Sequence, residues 1–161
     1  MKLSTRGRYA VMAMADIARR DTDAPVSLAA IADSQNLSQE YLEQLFARLR
    51  RAGLVTSVRG PGGGYRLARD AEEIFIADIV AAAGEAFQVT RCADGDGVQG
   101  CQNGAQCITH ELWSALRRQI WGFLSAVTLA DVVQRRNLAL AAEVRKAREE
   151  VRIRPLKQAA Q

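Results

Sequence analysis

The chain has 161 residues, 48% of them hydrophobic, and a formal net charge of +4. That is enough apolar material for the core of one domain, yet no run approaches the ~18 apolar residues of a membrane-spanning helix, so no membrane attachment is expected. The opening MKLSTRGRYA contains no apolar secretory segment, and three cysteines without an export signal suit a reducing cytoplasm rather than a disulfide framework. Residues 1–70 carry 11 Lys/Arg against 7 Asp/Glu, residues 71–110 carry 1 against 6, and residues 111–161 carry 10 against 5. A basic N-terminal half is compatible with nucleic-acid binding.

Residues 6–20, RGRYAVMAMADIARR, have helical periodicity. Tyr9, Met12 and Ile17 are its expected core stripe, Asp16 falls near the same spacing, and Ser4 or Thr5 is the expected cap. After a turn-rich break from Asp21 to Pro25, Ser27 caps a short helix that ends near Gln35-Asn36. Ser38 caps the next helix, whose Tyr41, Leu42, Leu45, Phe46 and Leu49 make an apolar face. Two helices joined by about three or four residues have helix-turn-helix spacing.

Recognition helices read base edges from their first turns. Gln39, Glu40, Glu43 and Gln44 occupy those positions, with Tyr41 among them. Glutamine suits adenine, and a carboxylate accepts from cytosine N4. Arg48, Arg50 and Arg51 follow at exposed positions and are expected on phosphate. Gly53 stops the helix, and Leu54 to Val58 and Tyr65 to Ala68 read as two strands around RGPGGG. A hairpin directly after a helix-turn-helix is a wing. Its glycine-rich tip lets backbone such as that of Gly60 approach DNA closely, with Arg59 suited to a minor groove and Arg66 to phosphate. The tip lacks the phosphate-loop signatures, so nucleotide binding is not expected.

IFIADIVAAA, residues 74–83, is expected as a compact helix completing a DNA-binding domain over residues 1–83. Residues 84–110 follow as a polar loop holding Cys92, Cys101, Cys107 and His110, all three cysteines and the one histidine of the chain. Free cysteines normally sit among apolar neighbours, which these lack, and so polar a loop cannot order itself by burial. A metal centre is the natural organiser. Only Cys107-x2-His110 has the tight spacing usual in zinc sites. Longer glycine-rich intervals favour an iron–sulfur cluster held by thiolates with one imidazole, and zinc remains the alternative.

From Glu111 onward, ELWSALRRQIWGFLSAV reads as a long helix with Leu112, Leu116, Ile120, Phe123 and Val127 on one stripe, Leu124 beside it, and Trp113 and Trp121 flanking. So wide an apolar surface calls for a symmetric partner, and a two-fold dimer also suits two DNA half-sites. A short packing helix begins at Thr128, closing a dimerisation unit over residues 111–133. Residues 134–161 read as a charged tail without a core face. The expected fold is mainly α with a small β-hairpin, a winged helix-turn-helix DNA-binding domain plus a long dimerisation helix. With the single histidine placed in the loop, no nucleophile–base pair can be assembled, so an enzyme is not expected.

LSTRGRYAV, YLEQLFARLRRAGLV, SVRGPGGGYRLARDA and C…C…CITHELW with GFL and TLADVV together resemble the IscR family of bacterial iron–sulfur cluster regulators, over residues 1–133. The resemblance implies a homodimeric winged-helix transcription factor carrying one [2Fe-2S] cluster per subunit on Cys92, Cys101, Cys107 and His110. It implies double-stranded operator DNA as partner, the cluster assembly machinery as cluster donor, and control of cluster assembly genes with autorepression. By the same resemblance Glu43 discriminates between operator types and Arg59 enters the minor groove. The sequence departs from the familiar pattern twice. The first cysteine interval is eight residues rather than about five, a lengthening that changes loop-closure entropy little. Glu40 stands where better-known members have a small polar residue.

Overall fold

The computed structural model describes residues 5–20, 24–84 and 108–158, the last nine of these as backbone only. Helix α1 (Thr5–Arg19) is followed by α2 (Leu28–Gln35) and α3 (Gln39–Arg51). Strands β1 (Val55–Val58) and β2 (Gly64–Leu67) form the hairpin, and α4 (Ile76–Ala82), α5 (His110–Leu124), α6 (Leu129–Val133) and α7 (Leu138–Gln158) complete the order.

Local chemistry explains the boundaries. Ser27 and Ser38 accept from the backbone N–H groups of Ala30 and Tyr41, satisfying donors that each helix start leaves unpaired. Asn36 closes α2 in the left-handed region at φ 52°, so only Asn36, Leu37 and Ser38 separate the helices. Gly53 turns the chain at φ +70° after α3 and delivers it into β1. β1 and β2 pair antiparallel with Val55 opposite Leu67 and Val58 opposite Gly64. Val26 adds a bridge to Tyr65, donating and accepting at 2.9 and 2.8 Å, which fastens the hairpin to the start of the helix-turn-helix.

The core is shared by α1, α3, α4 and α6, with Phe46, Met14, Leu42, Leu49, Ile74, Ile79 and Leu129 fully buried. On α1 the buried stripe is Ala10, Ala13, Met14 and Ile17. Met12, expected there, is only half-buried, because α1 packs against α4 and α6 as well as α2, and the inward face is rotated accordingly. Asp16 is buried on that face. Arg19 and Arg20 reach its carboxylate at 3.0 and 2.9 Å, and Ser34 of α2 donates to it at 2.8 Å. Burial opposes its ionisation, but the hydrogen bonds from Ser34, Arg20 and Arg19 outweigh that and lower its pKa. The network locks α1 to the first helix of the helix-turn-helix.

Two expectations change beyond α4. Val127 does not belong to an outward stripe. The α5 helix stops at Leu124, and Val127 is 1% exposed in the core, its carbonyl accepting from the N–H of Ile76. Residues 138–158, expected as a tail, form a 21-residue helix. Ala142 is buried in the core and Leu138 packs against it. Arg145 donates to both the Ala126 carbonyl and the Asp131 carboxylate, and these contacts hold the helix to the body.

Candidate nucleic-acid interface and metal loop

α3 buries Leu42, Leu45, Phe46 and Leu49 and turns Gln39, Glu40, Glu43 and Gln44 outward. The four expected base-reading positions therefore share one exposed face. They are not independent: the Gln39 amide donates to the Glu43 carboxylate at 3.3 Å, one helical turn away. Tyr41 is half-buried. Its ring meets Tyr9 edge-on at 6.0 Å between centroids, and Arg8 lies 5.3 Å over the Tyr9 ring, so Tyr41 braces α3 on α1.

The basic residues divide in two. Arg50 donates to Ser57 of β1 at 3.4 Å and Arg51 to its own Ala47 carbonyl, both on the exposed side. Arg48, also exposed, donates to the Ala83 carbonyl at the end of α4 at 3.4 Å. On the wing, Arg59, Gly60 and Arg66 are exposed, with Arg66 paired across the ladder with Thr56. Gly60 and Gly62 adopt φ +104° and +74°, which favours glycine at this tip. The Tyr65 ring packs on Phe46 at 4.7 Å, so the wing is seated directly on α3. The exposed face of α3 and the wing thus form one surface in which Glu40 and Glu43 are flanked by arginines.

Cys92, Cys101 and Cys107 lie outside the described residues. His110 is described: it is the first residue of α5, half-exposed, behind Thr109 and a fully exposed Ile108. Among the described residues no group of three or more His, Cys, Asp or Glu side chains is gathered to hold a metal. In α5 no residue is buried. Leu112 is 61% exposed, Leu116, Trp121 and Phe123 are also exposed, and Trp113, Ile120 and Leu124 are half-buried.

The sequence reading missed one group that organises this end of the molecule. Asp131 is fully buried. It accepts from the Thr128 N–H at 3.0 Å, Arg136 at 3.0 Å and Arg145 at 2.8 Å, while its own N–H donates to Thr128 at 3.2 Å. The Thr128-x-x-Asp131 capping box was the available signal. The arginine partners had none, because they are brought in by folding.

A helix-turn-helix with a seated wing and an exposed arginine-flanked recognition face defines a winged-helix DNA-binding transcriptional regulator. The Rrf2 family model, described as an iron-dependent transcriptional regulator, matches residues 3–135, and the chain belongs to the Rrf2 family. It is 48% identical over 143 residues to the HTH-type transcriptional regulator IscR of Serratia proteamaculans, covering 89% of this chain and 85% of that one. A putative HTH-type transcriptional regulator of Azotobacter vinelandii is 53% identical over 135 residues, covering 84% and 80%. Among solved structures, T. potens IscR matches at TM-score 0.67 and 39% identity over 86% of this chain and 90% of that one. CymR, the global cysteine regulator of B. subtilis, matches at 0.71 and 33% over 85% and 99%. These relatives are regulators rather than enzymes, and no helix among the described residues is long and apolar enough to cross a membrane.

Proposed function

We propose that the chain is a cytoplasmic homodimeric regulator that senses iron–sulfur cluster status and controls cluster assembly genes, including its own operon. The observation that carries this reading is the position of His110. It stands at the junction between the polar stretch holding Cys92, Cys101 and Cys107 and a 15-residue helix with no buried residue. Three thiols and an imidazole fit the ligand chemistry of a [2Fe-2S] cluster, delivered by the cluster assembly machinery. Such a cluster, when bound, supplies sensitivity to iron supply and oxidants. His110 then ties the ligand stretch to the start of α5. Leu112, Leu116, Ile120 and Phe123, with Trp113 and Leu124, lie against the same helix of a second copy, and operator half-sites follow the two-fold axis.

The test is an anaerobic absorption spectrum with iron, sulfide and zinc analysis on wild type and Cys92→Ala. The expected wild type is red-brown with about two irons and two sulfides per subunit, and Cys92→Ala is bleached. Colour surviving in Cys92→Ala would move the fourth ligand elsewhere. A second reading, a zinc- or thiol-based regulator, is favoured by the likeness to CymR, whose solved structures include an oxidised form. A colourless wild type with one zinc per subunit would select it.

On DNA, Arg59→Ala is expected to weaken operator binding by about 10-fold, most strongly at sites with a narrow minor groove. Arg66→Gln is expected to weaken binding to all duplexes alike and to lower the salt-dependence slope by about 1. Titrations at several salt concentrations separate the two. A sequence-independent loss in Arg59→Ala would remove the wing from base-step selection.

A further inference from the structure

An open groove of about 320 Å³ runs along α7 where that helix packs on α6. Its apolar lining is Leu140, Ala141 and Val144, and its basic lining is Arg136, Arg145 and Arg148. Leu140 and Val144 stand one helical turn apart and are 56% and 44% exposed, so two large apolar side chains face water side by side. They are not the residues that seat α7: Ala142 is buried in the core and Leu138 packs against it.

The charge on the groove has one sign. The one carboxylate lining it among the described residues, Asp131, is buried and engaged with Thr128, Arg136 and Arg145. Glu143 and Glu149, the other carboxylates of this part of α7, do not line it. Arg145 uses only Nη1 on Asp131 and Ala126, which leaves most of its five N–H donors. Arg148 is exposed, and its guanidinium is unpaired among the described residues.

We propose that this groove is the docking site of an acidic amphipathic helix on a partner protein. Two apolar side chains one turn apart on the incoming helix cover Leu140 and Val144, and the carboxylates beside them meet Arg148 and the remaining donors of Arg145. A small molecule is a poorer occupant, because a ligand pocket envelops its guest and Leu140 and Val144 stand out into water. Duplex DNA is poorer too, since phosphate leaves both apolar side chains uncovered. A second copy in two-fold contact would set like charges against each other. No α5 residue lines the groove, so it is distinct from the stripe proposed above for the second copy.

The probe is a fluorescein-labelled helical peptide of about 16 residues, with Leu at i, i+4 and i+7, Glu flanking them and Ala elsewhere. Its control carries Lys at every Glu position. Anisotropy titrations use the full chain as wild type, Val144→Glu and Arg148→Glu. The acidic peptide is expected to bind wild type with a Kd of about 100 µM or tighter, and the Lys peptide about 10-fold more weakly or worse. Each substitution weakens the acidic peptide by about 10-fold with Tm unchanged, because both side chains are exposed. Arg148→Glu also binds the Lys peptide about 5-fold more tightly than wild type does, a reversal that a folding defect does not produce. No saturable binding of the acidic peptide up to about 1 mM would overturn the proposal. Undiminished binding in both variants would overturn it as well, as general attraction to a basic chain. A lower molar mass of Val144→Glu in light scattering would give the groove to a second copy instead. A sequence-independent loss of duplex affinity in Arg148→Glu would give it to DNA.

Discussion

Replacing Asp131 with alanine is expected to destabilise the protein by about 3 kcal/mol and to lower Tm by about 6–12 °C. The carboxylate is buried, completes the capping box of α6, and receives Arg136 and Arg145. Removing it leaves the Thr128 N–H without its acceptor and Arg145 without its counter-charge, while Arg136 keeps only Glu72 at 3.3 Å. The arginines are partly exposed and recover some hydration, which keeps the loss at the lower end for a broken buried pair. The loss is concentrated at α7, because Arg145 is a main tether of that helix. Limited proteolysis should therefore cut the 138–158 region of Asp131→Ala well before the rest of the domain. Uniform resistance would detach α7 from this network.

The same group sets a pH dependence. Burial opposes ionisation of Asp131, yet hydrogen bonds from Arg145, Thr128 and Arg136 prevail and hold its carboxyl well below the usual carboxylate range. A pKa depressed in the folded state stabilises the fold fully above the unfolded carboxylate value of 3.8 and loses that contribution as pH falls toward the folded value. Wild-type stability should decline on acidification from about pH 5, and Asp131→Ala should show a shallower decline. Parallel denaturant curves for the two proteins between about pH 5 and pH 3 would refute this assignment.

Gly64→Ala is expected to be as costly. A Cβ at Gly64 would stand 2.2 Å from the Val26 carbonyl oxygen and 2.4 Å from its carbon, all backbone. No rotamer relieves that collision, so the Val26–Tyr65 bridge must part and the wing must leave α3. Two backbone hydrogen bonds and the Phe46–Tyr65 packing are weakened together, about 3 kcal/mol in all. Gly62→Ala is the control. Nothing lies within 4 Å of its Cβ position, and only its φ of +74° disfavours alanine, so about 1 kcal/mol is expected. Equal Tm values for the two variants would mean that the hairpin is not held through Val26. Gly64→Ala should also weaken DNA binding, since Arg59 and Arg66 ride on the same hairpin.

The helix-turn-helix and the wing were legible from sequence because they rest on short-range physics. Serine caps at Ser27 and Ser38, the apolar period Leu42–Leu45–Phe46–Leu49, and Gly53 before a β-branched run act within a few residues of themselves. The outward set Gln39, Glu40, Glu43 and Gln44 follows from the same period. The amphipathic stretch of α5 was legible for the same reason, but its end was not. Leu112 to Phe123 keeps a helical step that the spacing to Val127 continues, whereas the chain has already turned at Ser125 and the bond to Ile76 draws Val127 inward.

What only the tertiary structure decided are the partners of charged and small residues. Nothing near Arg48 in the sequence announces the Ala83 carbonyl that its guanidinium meets. Arg145 reads as part of a solvated tail until Asp131 is buried beneath it. One tip glycine reads like another until Val26 comes within contact of Gly64 alone. Apolar periodicity is a property of one segment and survives in the sequence. Charge pairing and close backbone approach depend on two segments far apart in the chain, and they exist only once the core has brought those segments together.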